Sequence, residues 1–287
     1  ERQNFRLKDL AADAAKLERI QMLHEVADAA GLTLSQLALA WILQKEGFTA
    51  CITGASRPEQ IRENSRASGV DLDTGQLEKI EEITLLYEIS ETLNEHLDLK
   101  KSLYLVLDGL AQSLNMVRGT ITILNPLTDE IRIEVAHGLS RGAMERGKYK
   151  LGEGITGRVI QTGKAIAIPK ISEEPLFLDR TSSRKKGKQE QELSFICVPI
   201  KKGNQIIGAI SVDRPYDESD PLKNGTKLMS VVATMVARHV INLETIRLES
   251  ERLREENRRL RNKLETKYRI TDIIGNSNKM RDVYQMI

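Results

Sequence analysis

Aromatic residues are scarce, at 4% of the chain, so a core here has to be assembled from Leu, Ile, Val and Ala. Cysteine is rarer still. Cys51 and Cys197 each stand alone in an apolar, strand-like run. With no CxxC pair and no Cys/His metal spacing, a disulfide framework and a zinc module are excluded, and a cytosolic location fits. No apolar run reaches the roughly 18–20 residues of a membrane span, and no charged-then-apolar leader opens the chain. Neither sign of charge dominates. Forty-three Lys plus Arg against 41 Asp plus Glu leave +2 over 287 residues, too little for a nucleic-acid argument from the whole chain.

What is present is unevenly spread. Residues 1–82 hold 10 basic and 14 acidic side chains, and residues 83–287 hold 33 and 27. The net charge therefore passes from −4 to +6, and the structural pattern changes at the same place. Length alone suggests about two domains. The chain starts at Glu1 without a Met and stops at Ile287 inside a helical pattern, which reads as a piece of a longer protein.

In the first part, apolar residues recur at three- and four-residue steps from Leu10 to Ala30, and Gly31 is a natural stop. Thr33 opens a second helix with Leu34, Leu37, Ala38, Trp41 and Ile42 on one face, ending by Gly47. Phe48–Thr53 is apolar, β-branched and bounded by glycines, which predicts a buried strand. Ser56 with Glu59 three residues later has the form of a capping box, with Pro58 early in the helix that follows. Asp73 or Thr74 would cap another. A strand leading into such a helix N-terminus is also a phosphate-binding arrangement, although many such units serve capping alone.

LALAWILQ followed by GASRPEQIREN resembles the C-terminal part of the aldo-keto reductases, (β/α)8 enzymes that use NADPH. The resemblance implies that Gly54, Ser56, Arg57, Gln60, Glu63 and Asn64 contact the adenosine 2′-phosphate and adenine. The family's catalytic Asp, Tyr, Lys and His belong to earlier strands that are not in this chain, and one strand cannot close a barrel of eight. Residues 1–82 are therefore expected to be a mostly helical α/β remnant, not a reductase. A lone strand must find backbone partners elsewhere or stay wet, so this part is expected to be the first lost to proteolysis.

From residue 83 the pattern is α+β. Leu85, Ile89, Leu93 and Leu97 mark one helix, and Leu103, Leu107, Leu110 and Leu114 another. Period-two alternation then predicts strands at Thr120–Leu124, around Ile131–Val135, and at Ala165–Pro169, Ser194–Lys201 and Gln205–Asp213, the last two joined by the hairpin turn KKGN. A helix from Leu222 onward closes the domain. Gly152, Gly154 and Gly157 satisfy GxGxxG, but polar ERGKYK precedes them and the following helix ends at Gly163. A dinucleotide fold needs a buried strand before and a full helix after, so these glycines are read as allowing close packing of a short helix.

YKLGEGITGRVIQTGKAIAIPKISEEPLFLDRT and SFICVPIKKGNQIIGAISVDRPY closely resemble the GAF domain of NifA-type sigma-54-dependent transcriptional activators, from Leu85 to Leu243. The resemblance implies a sensor of a small-molecule effector, such as 2-oxoglutarate, or of an anti-activator protein, controlling an adjoining AAA+ ATPase. No cofactor is required by that reading, beyond any residual NADP contact in the remnant. Phe177, Phe195, Cys197, Ile121 and Ile123 are placed around an apolar cavity, with Thr156, Arg158, Asp179, Arg180 and Thr181 near its mouth. An Arg there can hold a carboxylate bidentately. The alternative is that Phe177 and Phe195 are plain core and Arg180 is solvated.

Beyond residue 243, heptad positions a take Leu243, Ser250, Asn257 and Leu264, and positions d take Ile246, Leu253, Leu260 and Lys267. The g and following e positions pair Glu249 with Arg254 and Glu256 with Arg261. This describes a parallel dimeric coiled coil with Asn257 fixing register, the alternative being a single solvated helix. The basic runs SSRKKGK and RRLRNK lack interleaved aromatics and predict no direct nucleic-acid contact. ITDIIGNSNKMRDVYQMI resembles the start of an AAA+ domain, yet no GxxxxGK[ST] occurs in the 287 residues.

The expected division is thus 1–82 remnant, 83–243 sensor, 244–269 coiled-coil linker and 270–287 start of the ATPase. The expected protein is a non-enzymatic cytoplasmic homodimer that touches no membrane. The competing readings are an NADP(H)-binding, reductase-like protein fused to a GAF domain, and a dimerisation scaffold with an empty pocket.

Overall fold

A computed structural model describes residues 14–178, 181, 192–220, 222–267 and 277–286. The chain forms two compact units, residues 1–240 and 241–287.

The first unit begins with three helices, α1 (Ala14–Ala29), α2 (Leu34–Leu43) and α3 (Pro58–Ser65), followed by the long α4 (Thr74–Glu95). Thr33 caps α2: its Oγ1 accepts the Gln36 N–H at 3.3 Å while Gln36 Oε1 accepts the Thr33 N–H at 3.0 Å. Asp73 and Gln76 form the same reciprocal box at the start of α4. Val26, Ala27, Leu37, Ala40 and Leu72 bury against Ile80 and Ile83 of α4. The described residues up to Ile83 therefore share a small core, and α4 runs without a break across the expected boundary at residue 82.

Two local expectations are corrected. Phe48–Thr53 is not a buried strand: the segment has no regular structure, and Phe48 and Ile52 are exposed. An apolar β-branched run becomes a strand only beside another strand, and none of the described strands lies near it in sequence or pairs with it. The cap of α3 is Arg57, not Ser56. Pro58 forces the residue before it to be extended, which makes Arg57 the last non-helical residue. Gln60 rather than Glu59 then reaches back, its Oε1 accepting the N–H of Ser56 at 2.7 Å and of Arg57 at 3.2 Å.

After α4 come α5 (Leu99–Ser113) and six strands: β1 (Arg118–Asn125), β2 (Glu130–His137), β3 (Lys148–Lys150), β4 (Ile166–Ile168), β5 (Leu193–Lys202) and β6 (Gln205–Pro215). The short α6 (Arg141–Arg146) precedes β3, and α7 (Gly154–Thr162) lies between β3 and β4. All strand pairs are antiparallel, in the order β3-β2-β1-β6-β5-β4. This is the α+β architecture expected from the sequence.

Alternation assigns the two faces of the sheet. Ile121, Val135, Ile196, Val198, Ile200, Ile210 and Val212 pack under α4, α5 and the start of α8 (Lys223–Lys267). Phe195, Cys197, Ala209 and Ile131 face the other way, toward Ile155, Val159 and Ile160 of α7. The glycines of the GxGxxG run serve that second face. A Cβ on Gly157 would stand 2.5 Å from the Lys150 carbonyl oxygen, so only glycine lets α7 approach the end of β3.

In the second unit, the outer half of α8 carries exposed Ile246, Leu253 and Leu260, one every seven residues. Arg247–Glu251 and Arg259–Glu255 ion pairs, each 3.2 Å, run along it. A last helix, α9 (Asn278–Met286), follows the undescribed residues 268–276. No single described helix is long and apolar enough to cross a membrane.

Candidate functional site

On the face of the sheet opposite the long helices lies a small cavity of about 40 Å³, room for roughly three water molecules. β1 and β6 supply its polar floor. Their register sets Arg118 opposite Asp213 and Thr120 opposite Ser211. Each residue of these pairs points away from the helices because its neighbours Ile121, Ile210 and Val212 point toward them. Arg118 Nε donates to Asp213 Oδ2 at 2.9 Å, with side chains only 13% and 3% exposed. The hydroxyls of Thr120 and Ser211 meet at 2.7 Å.

The walls are apolar. Phe177 and Phe195 stack edge to face with centroids 5.1 Å apart, and Ile133, Leu139, Tyr149, Ile155 and Leu178 complete the lining, with Thr156 and Thr181 adding hydroxyls. Hydrogen bonds tie the segment that carries Phe177 and Leu178 to the rest of the domain at Pro169, Ser172 and Thr181. Ser194 Oγ donates to the Pro169 carbonyl at 2.6 Å, Ser172 Oγ to Glu192 Oε2 at 2.7 Å, and Arg146 Nη2 to the Thr181 carbonyl at 2.8 Å. The bond from Ser172 is also the main reason that the Glu192 carboxyl sits below its ordinary pKa.

Of the expected pocket residues, Phe177, Phe195, Thr156 and Thr181 meet at this cavity. Others do not. Arg158 lies on the exposed side of α7. Cys197 is fully buried behind the lining, its thiol pushed up to about 12 by desolvation against the opposing effect of a hydrogen bond with Thr156. Ile121 belongs to the helix-side core, and half-buried Ile123 is not part of the lining. Asp179 and Arg180 fall outside the described residues.

The charged floor is not among the residues expected from the sequence. Its signal there is the parity of ISVDRP: if Ile210 and Val212 face the core, Ser211 and Asp213 must share the opposite face. RGTIT places Arg118 and Thr120 by the same rule.

The residues assigned to a remnant nucleotide site are positioned differently. Gly54, Ser56 and Arg57 are exposed, while Gln60, Glu63 and Asn64 are half-buried. The Gln60 amide oxygen is engaged by Ser56 and Arg57, and the Glu63 carbonyl accepts from Gln36 Nε2 at 2.9 Å. No group of three or more His, Cys, Asp or Glu among the described residues is arranged to hold a metal.

Residues 82–240 match the family model for the GAF domain. The chain belongs to the GAF domain family. Residues 2–85 match the model of the aldo/keto reductase family. Among curated proteins, the chain is 40% identical over 210 residues to nitrogen fixation protein VnfA of Azotobacter vinelandii, covering 71% of this chain and 39% of that protein. It is 33% identical over 207 residues to the Nif-specific regulatory protein of Herbaspirillum seropedicae, covering 72% and 38%. The chain thus spans about two fifths of the length of these relatives. Among solved structures, the GAF domain of a phosphoenolpyruvate-protein phosphotransferase from Coxiella burnetii matches with a TM-score of 0.51 at 17% identity, over 58% of this chain and 96% of that one. That likeness is one of fold.

Proposed function

We propose that this chain is the regulatory sensor part of a nitrogen-fixation transcriptional activator. In this reading the GAF domain responds to a small effector or a partner protein and governs an AAA+ ATPase carried elsewhere in the polypeptide. The observation that carries the reading is the cavity floored by Arg118 and Asp213 in the GAF domain of a chain that is 40% identical over 210 residues to nitrogen fixation protein VnfA. A buried ion pair is costly to desolvate and is weak evidence for stability. Its place on the floor of a cavity favours recognition instead.

The outer half of α8 supports a second element, a parallel homodimer. Ile246, Leu253 and Leu260 are half-exposed or more in the single chain, and a seven-residue apolar repeat is satisfied by a second copy.

The test is to join the chain to the remainder of the Azotobacter relative, outside the matched residues, and to measure ATP hydrolysis. ATP hydrolysis by that chimera should change when residues 83–240 are removed, and equal rates with and without them would sink the sensor reading. The reductase resemblance is tested separately by titrating the chain with NADPH. A blue-shifted, enhanced nicotinamide fluorescence at micromolar concentrations would favour nucleotide binding by residues 1–82.

A further inference from the structure

The cavity measures about 40 Å³, so an effector larger than about three waters enters only if part of the lining moves. Most of the described walls are held on more than one side. β1 and β6 are paired along both edges within the sheet. α7 is wedged by Gly157 against the Lys150 carbonyl, and the Gly152 N–H closes on the Gly157 carbonyl at 3.0 Å. The segment that carries Phe177 and Leu178, residues 169–178, is built otherwise. It holds a single 3₁₀ turn, Ile171–Glu173. The Glu174 N–H bonds the Ile171 carbonyl at 3.2 Å and the Phe177 N–H the Glu174 carbonyl at 3.1 Å, both turns within the segment.

Its ends and its middle are fastened differently. At the start, Ser194, 1% exposed, donates its hydroxyl to the Pro169 carbonyl. Past the far end, Arg146 donates to the carbonyl of buried Thr181. Between these anchors Ser172 is bonded twice to Glu192, Oγ to Oε2 at 2.7 Å and N–H to Oε1 at 3.3 Å. Ser172 is exposed and Glu192 half-buried, while the Glu192 carbonyl is fixed by the Tyr216 N–H at 2.9 Å. Water replaces an exposed bond when it breaks, whereas an anchor broken in the interior leaves an unsatisfied group. The middle therefore gives way before the ends.

We propose that residues 169–178 form a strap over the cavity, anchored at Pro169 and Thr181 and latched by Ser172 on Glu192, whose release admits an effector. This rests on the sensor reading above and names how its site is regulated. Lifting the strap also parts Phe177 from Phe195, whose rings lie 5.1 Å apart edge to face. The closed form is thus the major one and the open form a minor population.

The experiment follows thiol modification of the full chain by a small methanethiosulfonate reagent, read peptide by peptide by mass spectrometry. Cys51→Ser removes the half-buried cysteine, Ser211→Cys sets a thiol on the cavity floor, and buried Cys197, outside the lining, gauges deeper unfolding. A melt verifies the fold, and Thr120→Cys is the second position if Ser211→Cys does not fold. The introduced thiol should react more slowly than in the denatured chain but faster than Cys197, at a rate nearly independent of low urea, the mark of a local opening. Ser172→Ala should speed that reaction about five- to tenfold. Reaction at the denatured rate would mean that the cavity is open without any release. Reaction only in step with Cys197, rising as steeply with urea, would mean that unfolding alone exposes it. Either result overturns the proposal, as does an unaltered rate in Ser172→Ala. The sensor reading is judged separately by ATP hydrolysis in the chimera, so the two failures are distinguishable.

Discussion

His239 on α8 and Ser102 on α5 meet inside the helical layer, Nε2 to Oγ at 3.1 Å, with each residue almost fully buried. The Ser102 hydroxyl has one proton, and carbonyls of its own segment compete for it, that of Asp98 at 2.9 Å and that of His96 at 3.3 Å. The imidazole is therefore best matched as the donor, neutral and protonated on Nε2.

That contact makes stability depend on pH. Desolvation holds the pKa of His239 below its ordinary value of 6.5, so as the pH falls the unfolded chain takes up this proton before the folded one does. The neutral ring's contribution is fully present above about 6.5 and is lost progressively as pH falls below that value toward the folded pKa. Thermal melts between pH 8 and pH 5 should show a steeper loss on the acid side for the wild type than for His239→Gln. Equal slopes would mean that His239 is not the linked group.

The two cysteines should differ sharply toward a thiol reagent. Cys197 is buried, with its pKa pushed up to about 12, and the thiolate is the reactive form. Cys51 is only half-buried and lies in the irregular segment before α3. An aromatic disulfide reagent should titrate Cys51 in the native protein and Cys197 only after denaturation. Cys51→Ser should abolish the native reaction.

Gly157→Ala tests the close approach of α7. The added methyl would meet the Lys150 carbonyl oxygen at 2.5 Å, and backbone cannot move aside as a side chain would. A loss of about 1–3 kcal/mol is expected, measured by urea unfolding. An unchanged midpoint would show that the contact is not tight.

Limited chymotrypsin digestion should cut first after Phe48, which is exposed in a stretch without regular structure. Cleavage after Leu85 is expected to be slow, because that bond lies inside α4 with Leu85 buried. Early cleavage there, ahead of Phe48, would contradict the packing of α1 and α2 on α4.

Arg254 and Arg261 test the homodimer. Changing both to Glu sets like charges against Glu249 and Glu256 across a parallel seam, which should weaken self-association by a few tenths to about 1 kcal/mol per pair. The effect should shrink in high salt. Sedimentation at two ionic strengths measures this, and a monomeric wild type at 50 micromolar would reject the seam.

Much of the fold is readable in the sequence because local signals and burial agree. Asp73 caps α4, Leu103, Leu107 and Leu110 line one helix face, and Ile196, Val198 and Ile200 alternate with Phe195 and Cys197. Phe48–Thr53 misleads because composition records an appetite for burial but not whether a neighbouring strand exists to satisfy it. The cavity is half legible. Phe177 and Phe195 stand out as rare aromatics, while Arg118 and Asp213 sit 95 residues apart, and only the register of β1 against β6 brings them together. Ile121 is easily set on the wrong face, because an apolar residue beside a cavity and one beneath a helix look alike in one strand.

One helix has two hydrophobic commitments. Ile80 and Ile83 of α4 complete the small core of the described residues up to Ile83, and Leu85, Ile89 and Leu93, further along the same helix, complete the core over the sheet. Neither core can melt without baring a stripe on a helix that the other still holds. The reductase-like segment and the GAF domain are therefore expected to unfold as one cooperative unit rather than as beads on a string, with amides on both flanks of Glu82 opening together.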